Sequence, residues 1–398
     1  MHVGATLRGV AGSLALIASR LQLDLDTPAF STVRSWILRL GCHALTCSLR
    51  IGVWVYLIDH SVQIGSCKLL VILGCPVSDV PRGERPLQHR DLRLVGLSLM
   101  EHSNAESVAA ELERASKRTG IPRQIVSDNG TDLNGGVKLF QQQHEGVAHV
   151  HDLAHQAANV LKQRRKHDQR WSEFVAKLAT AGAQVRQTRE AHLCPPTMRP
   201  KARFMNLAPM VRFANRLLRL LDSRGASVRA EACYGWLREY RDSLTNWTSE
   251  QIVVEVALTH IRTHGLDCET ATKLDAAWSE LSLTAGANEV AARLRTAVRV
   301  EGLQAEAGEK LVASTEVLES VFGKLKRLEG SYSGDGFTGL SLAVGAFLGE
   351  SSEEQVREAL ESVPKKEAES WARKLFGPTV QMVRRLFVTT PESVPNPG

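Results

Sequence analysis

No Cys-x-x-Cys pair occurs anywhere in the chain. Its seven cysteines, Cys42, Cys47, Cys67, Cys75, Cys194, Cys233 and Cys268, are odd in number and scattered. That pattern indicates neither a zinc knuckle nor a disulfide framework and fits a reducing, cytosolic setting. Long apolar runs are missing too: the longest, around Ala11 to Ala18 and Leu69 to Leu73, fall well short of the ~20 residues that span a bilayer. Arg8 and a short apolar run open the chain, but Gln22, Asp24 and Asp26 follow without a convincing cleavage site, so no signal peptide is expected. No internal repeat is visible.

What is there suits a globular protein of more than one domain. Hydrophobic residues make up 43% and charged residues 23% of 398 positions, enough to bury a sizeable core and too long for a single simple one. The net charge of +6 is mild, but it is concentrated: between Lys162 and Arg203 basic residues outnumber acidic ones by roughly three or four to one. Such a stretch favours nucleic acid as partner; the alternative is a solvated helix face.

Taken in order, the chain starts helical. Val10, Leu14, Ile17 and Leu21 recur at helical spacing to Leu23, Asp26-Thr27-Pro28 breaks the run, and a second helix from Ser31 ends at Gly41. This helix-turn-helix outline over residues 1–48 lacks the third helix of a complete DNA-binding unit, and plain packing accounts for it equally well. Its second helix presents Thr32, Arg34, Ser35 and Arg39, types that contact phosphates and base edges. From Ile51 the period turns to β. Val53 to Ile58, Cys67 to Gly74 and Asp91 to Met100 read as strands, Asn104 to Thr119 as an amphipathic helix closed by Gly120-Ile121-Pro122, and Gln124 to Val126 as a fourth strand. A helix over Gly135 to His144, a strand over Val147 to Val150 and a helix over Leu153 to His167 follow. Each of two strands ends in an aspartate: Asp59 after the first, and Asp128 before an Asn-Gly turn after the fourth.

Beyond residue 168 the pattern is wholly helical: Trp171 to Arg186, a basic linker with prolines over Cys194 to Pro209, then helices around Met210 to Ser223, Ser227 to Trp247, Ser249 to His264, Thr270 to Leu283 and Ala287 to Glu301. Ser314 to Lys326 reads as one more helix, before a Gly-Ser-rich turn over 330–336, a helix near Leu340 to Leu348, further helices to Phe387 and a Pro-rich tail expected to be disordered.

The order β-β-β-α-β-α-β-α, with aspartates closing the first and fourth strands, resembles the RNase H-like catalytic core of DDE transposases and retroviral-type integrases over roughly Val53 to His167. The late segment Ser314-Thr315-Glu316-Val317-Leu318-Glu319-Ser320 is similar to the one that carries the final glutamate in interrupted members, the Mutator-like and hAT-like transposases, with Glu316 where Asn is common. The fold so implied is an α/β RNase H-like core, a mixed five-stranded sheet with helices, bearing a large all-α insertion and an N-terminal helix-turn-helix-like segment. Its expected parts are 1–48, a first core segment 49–168, an insertion 169–308, a core helix segment 309–350 and C-terminal helices with a tail over 351–398.

The activity implied by the resemblance is that of a DNA transposase: metal-dependent cleavage at element ends, then attack of a 3′-hydroxyl on target DNA. The implied catalytic residues and metal ligands are Asp59, Asp128 and Glu319, holding two Mg²⁺ or Mn²⁺ ions about 3.5–4 Å apart. Glu316 is the rival third carboxylate. Helical spacing buries Leu318, Val321 or Phe322, Leu325 and Leu328 and puts Glu319, Gly323 and Lys326 on an adjacent face. Arg34, Arg39, Lys162, Arg164, Arg165, Lys166, Arg199, Lys201, Arg203 and Lys326 are the expected DNA contacts. Partners are terminal inverted repeats, target DNA and further copies of the chain, with no membrane; the setting is cytoplasmic, at a bacterial nucleoid. Asp132 is a second candidate ligand or a helix cap, His60 a group that orients Asp59, and His151, Asp152 and His155 a supporting or DNA-contacting group without the fourth ligand zinc needs. Trp236, Tyr240 and Trp247 read as core. Three other readings stand beside the transposase: a transposase-derived protein that binds DNA without cutting it; a structure-selective nuclease, against which the long helical insertion argues; and a helical scaffold protein, which would leave the strand-end aspartates unexplained.

Overall fold

Five strands take up the densest apolar stretches of the chain. In the computed structural model, which describes residues 6–64, 67–81, 83–199, 204, 206–223, 225–329, 339–349 and 352–377, they are β1 (Trp54–Ile64), β2 (Cys67–Pro76), β3 (Arg93–Met100), β4 (Gln124–Ser127) and β5 (Ala148–His151). They form one mixed, open sheet in the order β3-β2-β1-β4-β5, antiparallel across β1, β2 and β3 and parallel between β1 and β4. The helices, in chain order, are α1 (Leu7–Arg20), α2 (Phe30–Thr46), α3 (Ala105–Thr119), α4 (Thr131–Gln143), α5 (Leu153–Lys166), α6 (Gln169–Val185) and α7 (Leu207–Asp222). They continue as α8 (Val228–Tyr234), α9 (Arg241–His264), α10 (Thr270–Ser279), α11 (Ala285–Gly302), α12 (Glu316–Glu329), α13 (Ala343–Ala346), α14 (Glu353–Ser362) and α15 (Lys365–Phe376). No described helix is long and apolar enough to cross a membrane.

The chain divides into two units. One gathers 1–81, 86–150 and 315–398, and so holds the whole sheet up to Val150 together with α12; the other is 151–314 with the short piece 82–85. The helical unit is thus entered after β5 and left just before α12. It includes α5, which packs on α9 and α11.

In the sheet unit, alternation sorts side chains onto two faces. Trp54, Tyr56 and Ile58 of β1 join Leu70, Ile72, Val95 and Ile125 in a core closed by Val108 and Leu112 of α3 and Val137 and Phe140 of α4. Asn104 caps α3 by accepting from the Ser107 N–H at 2.8 Å while Ser107 reaches back to the Asn104 N–H. Gly120, at φ +93°, lets the chain turn under the Gly52 carbonyl. α12 packs against β1, and none of its buried residues, Leu318, Val321, Phe322, Leu325 and Leu328, belongs to that core. It therefore covers the other face, the one shared by Val55, Leu57 and Asp59.

Three expectations need correction. β1 does not end at Ile58: it runs on to Ile64, with Asp59 paired opposite Val71 of β2, so Asp59 is interior to its strand. The helix expected to break between Trp247 and Ser249 is continuous through α9, and the break lies at Gly235, where a 3₁₀ turn (Gly235–Tyr240) follows α8. Gly41 does not stop α2, which continues to Thr46. A Cβ at Gly41 would lie 1.8 Å from the Leu342 carbonyl oxygen, so the glycine is there for close backbone approach. The turn at 330–336 and the tail from 378 fall outside the described residues.

The Gly41 contact makes a paired prediction. Alanine is the better helix former by about 1 kcal/mol, and at Gly12 of α1, where a Cβ meets nothing within 4 Å, Gly12→Ala should raise the melting temperature slightly. Gly41→Ala should lower it despite the same propensity gain, by about 1–3 kcal/mol of lost stability. Two thermal melts decide it, and equal shifts in the same direction would rule out the close packing of α2.

Candidate functional site

Asp59 and Asp128 lie on, or just beyond, the paired strands β1 and β4. β4 runs parallel to β1 with Val55 beside Gln124, Tyr56 beside Ile125 and Leu57 beside Val126. Continued two residues beyond its last pair, that register would set Asp59 beside Asp128 on the same face. β4 ends at Ser127, so Asp128 is at a strand end as its Asn-Gly turn implied. β1 and β2 pair onward past Asp59. Both carboxylates are half-buried. The His60 N–H donates to Asp59 Oδ1 at 2.7 Å, and the Gly130 N–H donates to Asp128 Oδ1 at 2.8 Å. A Cβ at Gly130 would lie 2.9 Å from that Asp128 oxygen and 3.2 Å from Asp132 Oδ1, so a larger residue would crowd both.

Asp132 itself is held on the α3 and α4 side. Lys68 Nζ donates to Asp132 Oδ2 at 2.6 Å, and His60 Nε2 is 3.9 Å from the same oxygen and 3.1 Å from Ser103 Oγ. His60 therefore points to the face opposite Asp59 and touches that aspartate only through its backbone. Burial, the largest influence, lowers the His60 pKa; Lys68 adds to this, while Asp132 and Asp128 oppose it. Burial raises the Asp132 carboxyl, but hydrogen bonds from Lys68 and Ser103 and the adjoining His60 and Lys68 charges outweigh it and hold the pKa down to about 2. Lys68 is the single charged residue of β2, and that isolation within an apolar strand is the signal that would have singled it out.

A pH dependence follows from Asp132. Its folded pKa lies below the ordinary 3.8, so its charge stabilises the fold fully above that value, and the contribution is lost as pH falls from about 4 to about 2. Asp132→Asn should melt lower than the parent at neutral pH, with the gap closing across that window. A gap independent of pH would show that the ion pair with Lys68 does not hold the turn.

On α12 the stripe expected to be buried is buried. Glu319, Gly323 and Lys326 lie exposed, with open space around Gly323, while Glu316 is half-buried one turn earlier. Among the described residues, no three His, Cys, Asp or Glu side chains are grouped so as to hold a metal ion.

The basic candidates separate sharply. Arg34 and Arg39 sit half-buried in α2, which packs against α13, α14 and α15, and Arg39 Nε donates to the Val363 carbonyl at 2.6 Å. Arg165 is 5% exposed and paired with the fully buried Glu250, and Arg164 bridges Glu250 and Glu289. Lys166, Arg199 and Lys326 are exposed, and Lys162 is half-buried. Lys201 and Arg203 lie outside the described residues. His151 Nδ1 is 2.7 Å from Glu301, and the buried Asp152 caps α5 through the Ala154 N–H at 2.8 Å, so both serve the helical unit. Tyr240 and Trp247 are buried and Trp236 half-buried, packed with Trp171 and Phe174. Comparison with known proteins adds no constraint: no family model matches the chain, and no curated protein matches it.

Proposed function

We propose that the chain is a DNA transposase with an RNase H-like core, acting on element ends through Asp59, Asp128 and a carboxylate of α12. One observation supports this most: the parallel β1–β4 register of a β3-β2-β1-β4-β5 sheet, which continued two residues would align Asp59 with Asp128 on one face, with α12 packed against β1. Carboxylate oxygens are the donors hard cations take. Asp59 and Asp128 fit Mg²⁺ or Mn²⁺ in the chemistry of their donors, and Glu319, or Glu316 one turn before it, supplies the third carboxylate in this reading. When bound, two such ions supply Lewis-acid activation of a water or a 3′-hydroxyl and neutralise charge at the phosphate.

The chain's own part is positioning. The His60 and Gly130 N–H groups fix the two carboxylates in orientation, and the Lys68 pair with Asp132 holds the start of α4, which follows the Asp128 turn. Lys326, Lys166 and Arg199 are exposed for phosphates of the DNA. Element ends, target DNA and a second copy of the chain are the partners this activity calls for. A second reading, a transposase-derived protein that binds DNA without cutting it, is favoured by the exposed position of Glu319 and the lack of a three-ligand group among the described residues.

The deciding experiment mixes the purified chain, Mg²⁺ and duplex DNA carrying the sequences that flank its coding region. Nicks that leave a free 3′-hydroxyl at the repeat boundary are expected. Salt-dependent binding without nicks would leave the second reading, and neither binding nor nicking would defeat both.

A further inference from the structure

One surface of the helical unit carries charge that no expected site uses. α7 buries Leu207, Met210, Val211, Ala214, Leu217, Leu218 and Leu221 and turns Arg212, Arg216 and Arg219 outward. Spaced at i, i+4 and i+7, the three form a single stripe. Among the described residues none of their side chains makes an ion pair or hydrogen bond, whereas those of nearby Arg164, Arg165, Arg238 and Arg241 are all paired. The stripe forms one wall of a groove of about 680 Å³, also lined by the exposed hydroxyls of Thr245 and Ser282. Asp222 is the sole acid on its lining, and its carboxylate is taken up by Arg241 at 2.5 Å and Arg238 at 3.7 Å.

From this geometry we infer that the α7 groove binds the sugar-phosphate backbone of duplex DNA, independently of base sequence. Three unpaired guanidiniums on one stripe match a row of phosphates in charge and in hydrogen-bonding geometry. They span about 10.5 Å of helix, roughly three base-pair steps at 3.4 Å each. No aromatic side chain lines the groove, so it has no platform for a stacked base, as a single-strand or nucleotide site would. The inference rests on the proposed DNA partner, but not on the cleavage chemistry. It also moves the phosphate contacts of this unit away from Arg164 and Arg165, whose charge is spent internally.

The test uses the full chain and a 30-base-pair duplex of arbitrary sequence, titrated at several salt concentrations. The triple variant Arg212→Gln, Arg216→Gln, Arg219→Gln should reduce the slope of log K against log salt by roughly two to three, about 0.9 per lost phosphate contact. Its affinity near 100 mM salt should fall at least about tenfold. The triple Arg→Lys variant, which keeps the charge, should retain most of the slope. Because all three side chains are exposed, melting temperatures should stay within a few degrees of the parent; a triple Gln variant that melts much lower is replaced by the single variants, each expected to remove about one unit of slope. A parent that binds duplex while the Gln variant keeps its slope overturns this inference alone. A parent that binds no DNA overturns it together with the proposed function. Polyglutamate bound as tightly as duplex at equal salt would overturn the assignment to nucleic acid.

Discussion

Asp128→Asn is expected to reduce Mg²⁺-dependent nicking by at least about a thousandfold while leaving the fold intact. Losing a ligand carboxylate removes on the order of 4 kcal/mol of transition-state charge stabilisation, and each 1.36 kcal/mol is about a decade in rate. The amide keeps the shape and can still accept the Gly130 N–H bond that orients Asp128 Oδ1, so the turn should survive. In the β1–β4 register continued two residues Asp59 would stand beside it, and like charges so placed repel. Without metal, then, the variant should melt at or slightly above the parent. Adding Mg²⁺ should raise the parent's melting temperature through binding to the folded state and leave the variant's unchanged. A variant that nicks at the parent rate would remove Asp128 from the site.

The same comparison separates Glu319 from Glu316. If the α12 carboxylate completes the site, one of Glu319→Gln and Glu316→Gln should match Asp128→Asn in nicking and the other should stay near the parent. Should both stay near the parent while Asp128→Asn is inactive, α12 contributes no ligand.

How much of this was legible in sequence depends on how local the determining interaction is. Asp128 was readable because a short apolar strand meets an Asn-Gly turn, and both signals sit within a few residues. The ends of α3 were readable from Asn104 and Gly120 for the same reason. Asp59 was harder. Its polar neighbours His60 and Ser61 look like a turn, yet β1 continues because β2 supplies hydrogen-bond partners as far as Ile64. Gly41 looked like a stop signal; its cause is the backbone of Leu342, some three hundred positions later. The unpaired arginines of α7 carry no signal in the sequence, because their significance lies in what other elements fail to supply.

The charge run Lys162 to Lys166 shows this limit most clearly and carries a large stability effect. In sequence it is five residues with four cations, and exposure to phosphate is the natural reading. In the structure α5 presents Arg165 inward, where it pairs with Glu250 of α9 and lies 5.4 Å and 5.5 Å from the ring centres of Trp171 and Trp247. Glu250 has no exposure, and it also takes bonds from Arg164 at 3.0 Å and Asn246 at 3.1 Å. Burial, the largest influence, lowers the Arg165 pKa, and the Glu250 charge opposes it. Removing one partner of such a pair leaves a buried charge uncompensated, which costs about 3–5 kcal/mol; Arg164 still faces Glu250, so Arg165→Met should fall near the lower end. Lys166→Ala, on the exposed side of the same helix, should change stability by no more than about 0.5 kcal/mol. The double variant Arg165→Met, Glu250→Leu should recover part of the loss, because no charge is then stranded between the two sites, although Arg164 loses one of its acids. Denaturant unfolding of the parent, both single variants and the double variant closes the cycle. Additive losses at Arg165 and Glu250 would show that the two do not form a buried pair, and would return Arg165 to the set of candidate DNA contacts.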